Sequence, residues 1–133
     1  MITVDLASRL KAAGLTWTPA SGDRFVIAGR DMDAEVFVLS ELTIEVHETG
    51  TGPLIRFNGT TEWALDSIAQ DDAVWLPHEG QLRAALGSSF RRLEPVGAGM
   101  AVVVELAGEQ QRHVDVDAER AYARALLVVL AGS

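Results

Sequence analysis

The sequence predicts an α+β fold, in which an antiparallel sheet made of two meanders carries helices mainly on one face. Three observations support this prediction. Apolar residues recur at helical spacing near the start, in the middle and at the end of the chain. Short apolar or alternating runs, separated by Gly-rich turns, lie between these segments. The connections between the runs suit hairpins and are too short for repeated parallel crossovers.

The first predicted elements are a helix, a loop and a strand. Residues 3–13 place Leu6 and Leu10 on one side at helical spacing, and Thr3 precedes them as an N-cap. A segment rich in turn formers follows. Residues 24–28 then form a short apolar run that is typical of a strand.

The longest extended signal covers residues 35–48, where the alternation of apolar positions shifts phase near residues 40–41. This shift indicates either a bulge or a tight hairpin. The turn at residues 49–53 leads into residues 54–57, which fit an antiparallel neighbour. These strands form the first predicted meander.

A helix is predicted directly after this meander. Thr60 or Thr61 can cap it, because a threonine side chain accepts from the unpaired N–H groups of a first turn. Glu62 suits the positive end of the helix, which is expected to run through Gln70.

The second half of the chain predicts two further helices and a second meander. After a short apolar run at residues 74–76, Pro77 opens a helix that Gly87 ends. Asp117 caps a last helix that runs to Leu130. The strands of the second meander are predicted at residues 90–94, 100–106 and 112–116.

The composition is that of one ordinary globular domain. The chain has 133 residues, of which 48% are hydrophobic and 23% charged, so a single domain over residues 1–133 is expected. Its formal charge of -8 would repel nucleic acid phosphates and anionic lipid headgroups, whose binding depends on clustered lysine and arginine. We therefore expect neither nucleic acid nor a membrane as a partner.

Two features favour a cytoplasmic location. Residues 1–13 carry Asp5 where an export signal would be basic, and they lack an uninterrupted apolar core. Cysteine is absent, which also removes disulfides, thiolate catalysis and cysteine-based metal sites. The longest apolar run, at residues 125–131, is much shorter than the roughly 20 residues of a membrane-spanning helix, so it is expected to pack as an ordinary helix.

The sequence contains no recognisable catalytic, metal or cofactor motif. Its three histidines show no metal-ligand spacing. The alternating carboxylates at residues 31–35 and 115–119 lack the glycine that a calcium loop needs at its sixth position. The single lysine, Lys11, belongs to no phosphate loop. We therefore predict no metal, no cofactor and no catalytic residue.

The stretch that holds two of the three tryptophans is where a ligand site is expected. Trp63 and Trp75 can line a pocket, and nearby polar side chains can orient a small ligand in it. The competing interpretation, that these aromatics anchor the contact between helices and a sheet, carries more weight because aromatic residues dominate core area. The candidate ligand-binding residues are Asn58, Glu62, Trp63, Asp66, Trp75 and His78.

The same stretch resembles a group of short actinobacterial proteins of unknown function. The resemblance rests on FNGTTEWALDS at residues 57–67 and WLP at residues 75–77, with QL at residues 81–82 and AY at residues 121–122, and it runs nearly end to end. Some of these proteins are labelled pilus assembly proteins, a label that belongs to a ParA-like ATPase family. This chain has no phosphate loop and too few residues for the sheet of such an ATPase, so the resemblance implies no catalytic residues.

Two functions stay open at this point. The leading hypothesis is a non-catalytic interaction or self-association module, because the chain is acidic, lacks catalytic signatures and has surplus apolar residues at residues 125–131. A sheet covered on one face leaves its other face or an edge available, which favours a homodimer. The alternative is a small-ligand-binding protein or an unrecognised hydrolase, with a pocket near Trp63 and Trp75 and with Glu62, Asp66 and His78 as polar groups.

Overall fold

A computed structural model describes residues 1–27, 36–39, 45–49, 52–56, 67–69 and 73–132. These residues form an α+β fold, as the sequence predicts, with three α-helices and three antiparallel three-stranded sheets. The elements in chain order are α1 (Val4–Ala12), β1 (Arg24–Ile27), β2 (Phe37–Val38), β3 (Glu45–Thr49), β4 (Gly52–Arg56), β5 (Ser67–Ala69), β6 (Ala73–Leu76), α2 (Glu79–Leu86), β7 (Phe90–Val96), β8 (Gly99–Leu106), β9 (Glu109–Asp115) and α3 (Ala118–Ala131).

The chain divides into two compact units. The first, here called the terminal unit, combines Met1–Thr16 with Pro77–Ser133, and the second, the inserted unit, is Trp17–Leu76. All three described helices belong to the terminal unit, together with the sheet β7-β8-β9. The single domain that the composition predicts over residues 1–133 stays a prediction.

Side-chain caps begin two of the helices, as the sequence predicts. Thr3 Oγ1 accepts a hydrogen bond of 3.1 Å from the Leu6 N–H at the start of α1. Asp117 Oδ2 accepts one of 3.0 Å from the Arg120 N–H at the start of α3. Each bond satisfies an N–H group that the first helical turn would otherwise leave unpaired. Both α1 and α2 pack against α3.

Helix α2 is fixed by its own first turn and ends at a glycine. The Gln81 side chain reaches back so that Oε1 accepts from the His78 N–H at 2.8 Å, which is half of a capping box. Leu82 and Leu86 turn to the buried side. Gly87 has a φ of 57° and stops the helix where the sequence predicts.

The sheet β7-β8-β9 is the second predicted meander. Its strands are antiparallel, and β8 lies between the other two. The turn between β8 and β9 consists of Ala107 and Gly108, whose φ angles of 52° and 80° are those of a type I′ hairpin. The turn between β7 and β8 is Gly97-Ala98, with a φ of 56° at Gly97, so the predicted Gly-rich hairpin turn is confirmed.

The two faces of this sheet differ in what packs against them. One face, the helix face, lies under α3: Phe90 is paired with Val104 in the sheet and stacks on Tyr122 of α3, with ring centroids 5.8 Å apart. The helix face carries Phe90, Leu93, Val102, Val104, Gln111, His113 and Asp115. The other face, called the open face because its outer strands carry exposed side chains, holds Arg92, Glu94, Ala101, Val103, Arg112 and Val114; its centre, at Ala101 and Val103, is buried. Helices therefore cover one face of the sheet, as predicted.

The inserted unit contains the other two sheets. In the first, β3-β4-β5, each strand pairs with its neighbour in the chain; the antiparallel pairing across residues 49–53 is as predicted, whereas β5 lies in a segment predicted as helix. In the second, β2-β1-β6, β1 pairs with β6 across a long sequence separation, so that Phe25 lies opposite Trp75. The sequence shows no local signal for this pairing, because it depends on residues that are distant in the chain.

The helix predicted through Gln70 is wrong where its end is described. Residues Ser67–Ala69 form β5, which pairs with β4 so that Ile68 lies opposite Ile55. The pairing gives these residues the hydrogen bonds of an antiparallel ladder, and this overrides their helical pattern. Residues 60–66 of that prediction lie outside the described residues.

Candidate functional site

The predicted ligand site falls only in part on described residues. Asn58, Glu62, Trp63 and Asp66 lie within residues 57–66, which are outside the described ranges. Trp75 belongs to the inserted unit, and His78 belongs to the terminal unit. Each of these two residues is therefore described within its own unit, and the predicted grouping of all six stays a prediction.

Trp75 lies on β6 in a row of aromatic rings. Its indole is stacked on that of Trp17, with centroids 6.4 Å apart and an angle of 10° between the planes. Trp17 contacts Phe25 at 5.6 Å, and Phe25 contacts Phe37 at 5.5 Å. Phe25 and Phe37 are buried in the core of the inserted unit. Trp75 is thus the half-buried end of a packed aromatic row, and the predicted contact of the tryptophans with helices stays a prediction.

Asp23 holds this row in place from a position that the sequence analysis did not single out. It is only 3% exposed, and its Oδ2 accepts from the Trp17 indole Nε1 at 2.8 Å and from the Ala20 N–H at 3.0 Å. Burying a carboxylate is unfavourable unless hydrogen bonds compensate for the lost water. Asp23 therefore acts as a positioning group for Trp17. The only signal in the sequence is its place at the end of the turn-rich segment that precedes β1.

One polar atom in the row is left without a partner. The Trp75 Nε1–H is buried, and no described residue accepts a hydrogen bond from it. A buried donor without a partner costs about 1–3 kcal/mol, so such groups in folded proteins call for a specific explanation. An acceptor atom on a bound ligand would satisfy this donor.

His78 serves the start of α2 through its backbone. Its N–H donates to Gln81 Oε1 at 2.8 Å, and its carbonyl accepts from the Leu82 N–H at 2.9 Å. The next N–H, that of Glu79, donates to Glu119 Oε2 of α3 at 2.7 Å. These bonds give His78 a structural role that its sequence position beside Pro77 did not indicate.

The open face of the sheet β7-β8-β9 carries a network of arginine and glutamate side chains. Glu94 accepts from Arg112 at 2.6 Å and from Arg92 at 3.0 Å. These hydrogen bonds, that from Arg112 first, hold the pKa of Glu94 below its usual value. A β-bulge between Phe90 and Arg92 inserts Arg91 into the strand. Arg91 pairs with Glu105 at 2.9 Å.

Asp115 joins β9 to α3 on the helix face. Its side chain is 9% exposed, and its two oxygens lie 2.9 Å from Arg120 Nε and 2.9 Å from Arg124 Nε. The Asp117 N–H also donates to Oδ1 at 3.1 Å. Burial raises the pKa of Asp115, but the Asp117 N–H, Arg124 and Arg120 outweigh it and lower the pKa below its usual value. This clamp fixes α3 over β9.

The two outer edges of the same sheet are not equivalent. Strand β7 contains the bulge at Arg91 and also Pro95, which has no N–H to offer. Strand β9 has neither proline nor bulge, and it follows β8 in unbroken register from Glu109 to Asp115. No other described strand pairs with β9. A regular edge of this kind can pair with a strand of another chain.

Exposed apolar side chains accompany this edge. Val114 on β9 is 50% exposed, and Val116 directly after β9 is 71% exposed, the highest value among the large hydrophobic residues in the described part of the chain. In α3, Arg120 and Arg124 face β9 through Asp115, and Val128, one turn further along, is 37% exposed. Val114, Val116 and Val128 therefore line the β9 side of the terminal unit.

The described residues hold no group of three or more acidic or histidine side chains that would bind a metal ion. None of the helices in the described part of the chain is long and apolar enough to cross a membrane. No protein-family model matches the chain, and neither a curated protein nor a solved structure shows significant similarity to it. The resemblance to short actinobacterial proteins stays a prediction.

Proposed function

We propose that this protein is a non-catalytic interaction module of the cytoplasm, which binds a partner protein or a second copy of itself. The main support for the proposal is the regular edge of β9, which no other described strand covers. Proteins usually block such edges with proline, a bulge or charge: β7 of the same sheet has a proline and a bulge, whereas β9 has neither and, of these three devices, carries only charged side chains. An edge left regular beside a blocked one supports a role for β9 in binding.

The net negative charge of the chain disfavours some classes of binding partner. A formal charge of -8 argues against nucleic acid and against anionic membrane surfaces. On the open face, Glu94 and Glu105 already pair with the nearby arginines. A protein strand that brings main-chain hydrogen bonds and apolar side chains fits this surface better than a polyanion does.

Light scattering over a series of protein concentrations, combined with affinity capture from lysate, tests this function. We expect a mass that rises with concentration, or a captured protein that is lost when Val114 is replaced by lysine. Val38→Lys is the matched control, because Val38 is a 63% exposed valine of the inserted unit. A protein that stays monomeric and captures no partner would contradict the proposed function.

The second candidate function is a small-ligand binder or an unrecognised hydrolase that uses the surroundings of Trp63 and Trp75. The buried Trp75 Nε1–H, which has no acceptor among the described residues, favours this candidate because a ligand acceptor would complete it. Thermal-shift screening of small ligands tests it. Glu62→Ala, Asp66→Ala and His78→Ala should weaken any binding or activity that is found; if none of them does, this candidate is wrong.

A further inference from the structure

The hairpin between β8 and β9 determines which backbone groups of β9 are available. Leu106 and Glu109 close a two-residue turn, so this pair exchanges both of its hydrogen bonds. Every second pair along the ladder then does the same, which directs the N–H and C=O of Gln111 and His113 towards β8. The groups of Gln110, Arg112 and Val114 consequently point outward.

Hydrogen-bonded and non-hydrogen-bonded pairs alternate along β7 in the same way, and this alternation agrees with the position of its proline. Val96 and Gly99 close the turn between β7 and β8, so Pro95 occupies an outward position, where the ladder needs no N–H. The outer edge of β7 therefore lacks a donor near its end at Pro95 and is interrupted by the bulge at Arg91, whereas β9 presents alternating donors and acceptors along its length.

We propose that the protein forms a homodimer in which β9 pairs antiparallel with β9 of a second copy, so that the two three-stranded sheets become one six-stranded sheet. This inference rests on the proposed function and names its partner. The two-fold axis passes through His113, so that Arg112 lies opposite Val114 of the other copy, and Gln111 lies opposite Asp115. Outward backbone groups face each other in this register, as an antiparallel ladder requires.

The charged side chains of β9 favour this register over the register in which all residues of the two β9 strands pair. Full overlap would centre the pairing on Arg112 and place two arginines directly opposite each other, which is destabilising. If the two-fold axis passes through Gln111 instead, Val114 and Val116 lie outside the contact between the two strands. Centring on His113 covers the half-exposed Val114 and sets it against the aliphatic stem of Arg112.

A second copy fits this edge better than an unrelated strand does, because the contact is self-complementary. Each Arg112 guanidinium already has Glu94 of its own chain as its partner, so it presents its stem to the neighbouring strand without an unpaired charge. The two-fold also places both α3 helices on the same face of the joined sheet.

Cysteine cross-linking of the full chain tests both the dimer and its register. The chain has no cysteine of its own, so each variant carries one thiol. The His113→Cys variant is expected to form a disulfide-linked dimer under mild oxidation, because directly opposed residues of a non-hydrogen-bonded pair lie about 4.5 Å apart at Cα. The Arg112→Cys variant is expected not to, since its two thiols would be displaced along the strands to roughly 8 Å or more. The reverse result would overturn the proposed register.

Sedimentation of wild type and charge variants supplies the independent measurement. Val114→Lys places a lysine opposite Arg112 of the other copy twice per dimer, so self-association should weaken by roughly tenfold or more. Val114→Glu, which changes the same exposed position to the opposite charge, should retain the dimer, and so should Val38→Lys.

A wild-type protein that is monomeric from roughly 1 µM to 1 mM overturns the homodimer. In that case the proposed function would still be tested by capture of a different protein at β9. An oligomer that survives Val114→Lys and gives no disulfide at residue 113 overturns pairing through β9, while self-association itself would stand.

Discussion

Gly99 is a residue of the terminal unit at which an added methyl group would meet the backbone of a neighbouring strand. It begins β8, and a Cβ atom built on it would lie 2.7 Å from the carbonyl oxygen of Asp115 and 3.3 Å from its carbonyl carbon. Both atoms belong to backbone that is fixed by the ladder between β8 and β9. Glycine is therefore required here because two backbones approach closely.

We predict that Gly99→Ala lowers the free energy of unfolding by roughly 1–3 kcal/mol, because one strand must shift away from the other. Gly80→Ala is the matched control, since a Cβ atom at Gly80 meets no atom within 4 Å and the residue lies in α2. Alanine favours a helix over glycine, so this change should stabilise by up to about 1 kcal/mol. Urea unfolding measures both; equal effects of the two changes would refute the close approach.

At the scale of residues, the sequence predicts those contacts that join residues close together in the chain. The caps at Thr3 and Asp117 were predictable because the acceptor and the donor are three residues apart. The stack of Trp17 on Trp75 and the bond from Trp17 to the buried Asp23 were not. They arise only once β1 has paired with β6, and no short segment of the sequence encodes that pairing.

At the scale of elements, the terminal unit follows its sequence pattern closely, and the inserted unit does so less. Helices α1 and α3 each have a strong apolar stripe and a cap, and each is found where it was predicted. The last residues of the helix predicted through Gln70 instead form β5, because they pair with β4. The residues on which the predicted ligand site depends most, residues 57–66, lie outside the described ranges.

The contact between α3 and β9 is expected to depend on the charge of Asp115. Asp115→Asn keeps an acceptor for the Asp117 N–H but leaves Arg120 and Arg124 against a neutral amide. Arg120 Nε is itself buried and its side chain is 31% exposed, so water replaces the lost counterion only in part. We expect a loss of about 1–2 kcal/mol in the free energy of unfolding, measured with urea.

Glu105→Gln is the control for this change. It removes an ion pair with Arg91 whose two side chains are 37% and 39% exposed. Such surface pairs contribute little, so the free energy of unfolding should change by less than about 0.5 kcal/mol. If both variants lose the same amount, the clamp at Asp115 is no stronger than a surface ion pair.

At the scale of the whole molecule, stability should depend on pH in two separate windows. Burial lowers the pKa of His113 below its ordinary value of 6.5. At a pH between the pKa of His113 in the folded state and that in the unfolded state, the unfolded chain binds a proton at His113 that the folded chain does not. The free energy of unfolding should therefore fall as the pH drops below 6.5, and this fall should end once the pH passes below the pKa of the folded ring.

The carboxylates act in a more acidic window. The pKa values of Asp115 and Glu94 are held below their ordinary values of 3.8 and 4.5. Their stabilisation is complete above these ordinary values and is lost as the pH falls through the lower pKa values of the folded state. The two windows can thus be separated by experiment.

His113→Gln is expected to reduce the change in the free energy of unfolding between roughly pH 7.5 and pH 5.5 while leaving the acid window in place. Asp115→Asn should reduce the change in the free energy of unfolding in the acid window and leave the window of His113 in place, because it removes a group that titrates only at lower pH. Urea unfolding of the three proteins at one low concentration, where self-association contributes least, measures both windows. If His113→Gln leaves the first window unchanged, the titrating group in that window is not His113, and the burial of its ring on the helix face is then of no consequence for stability.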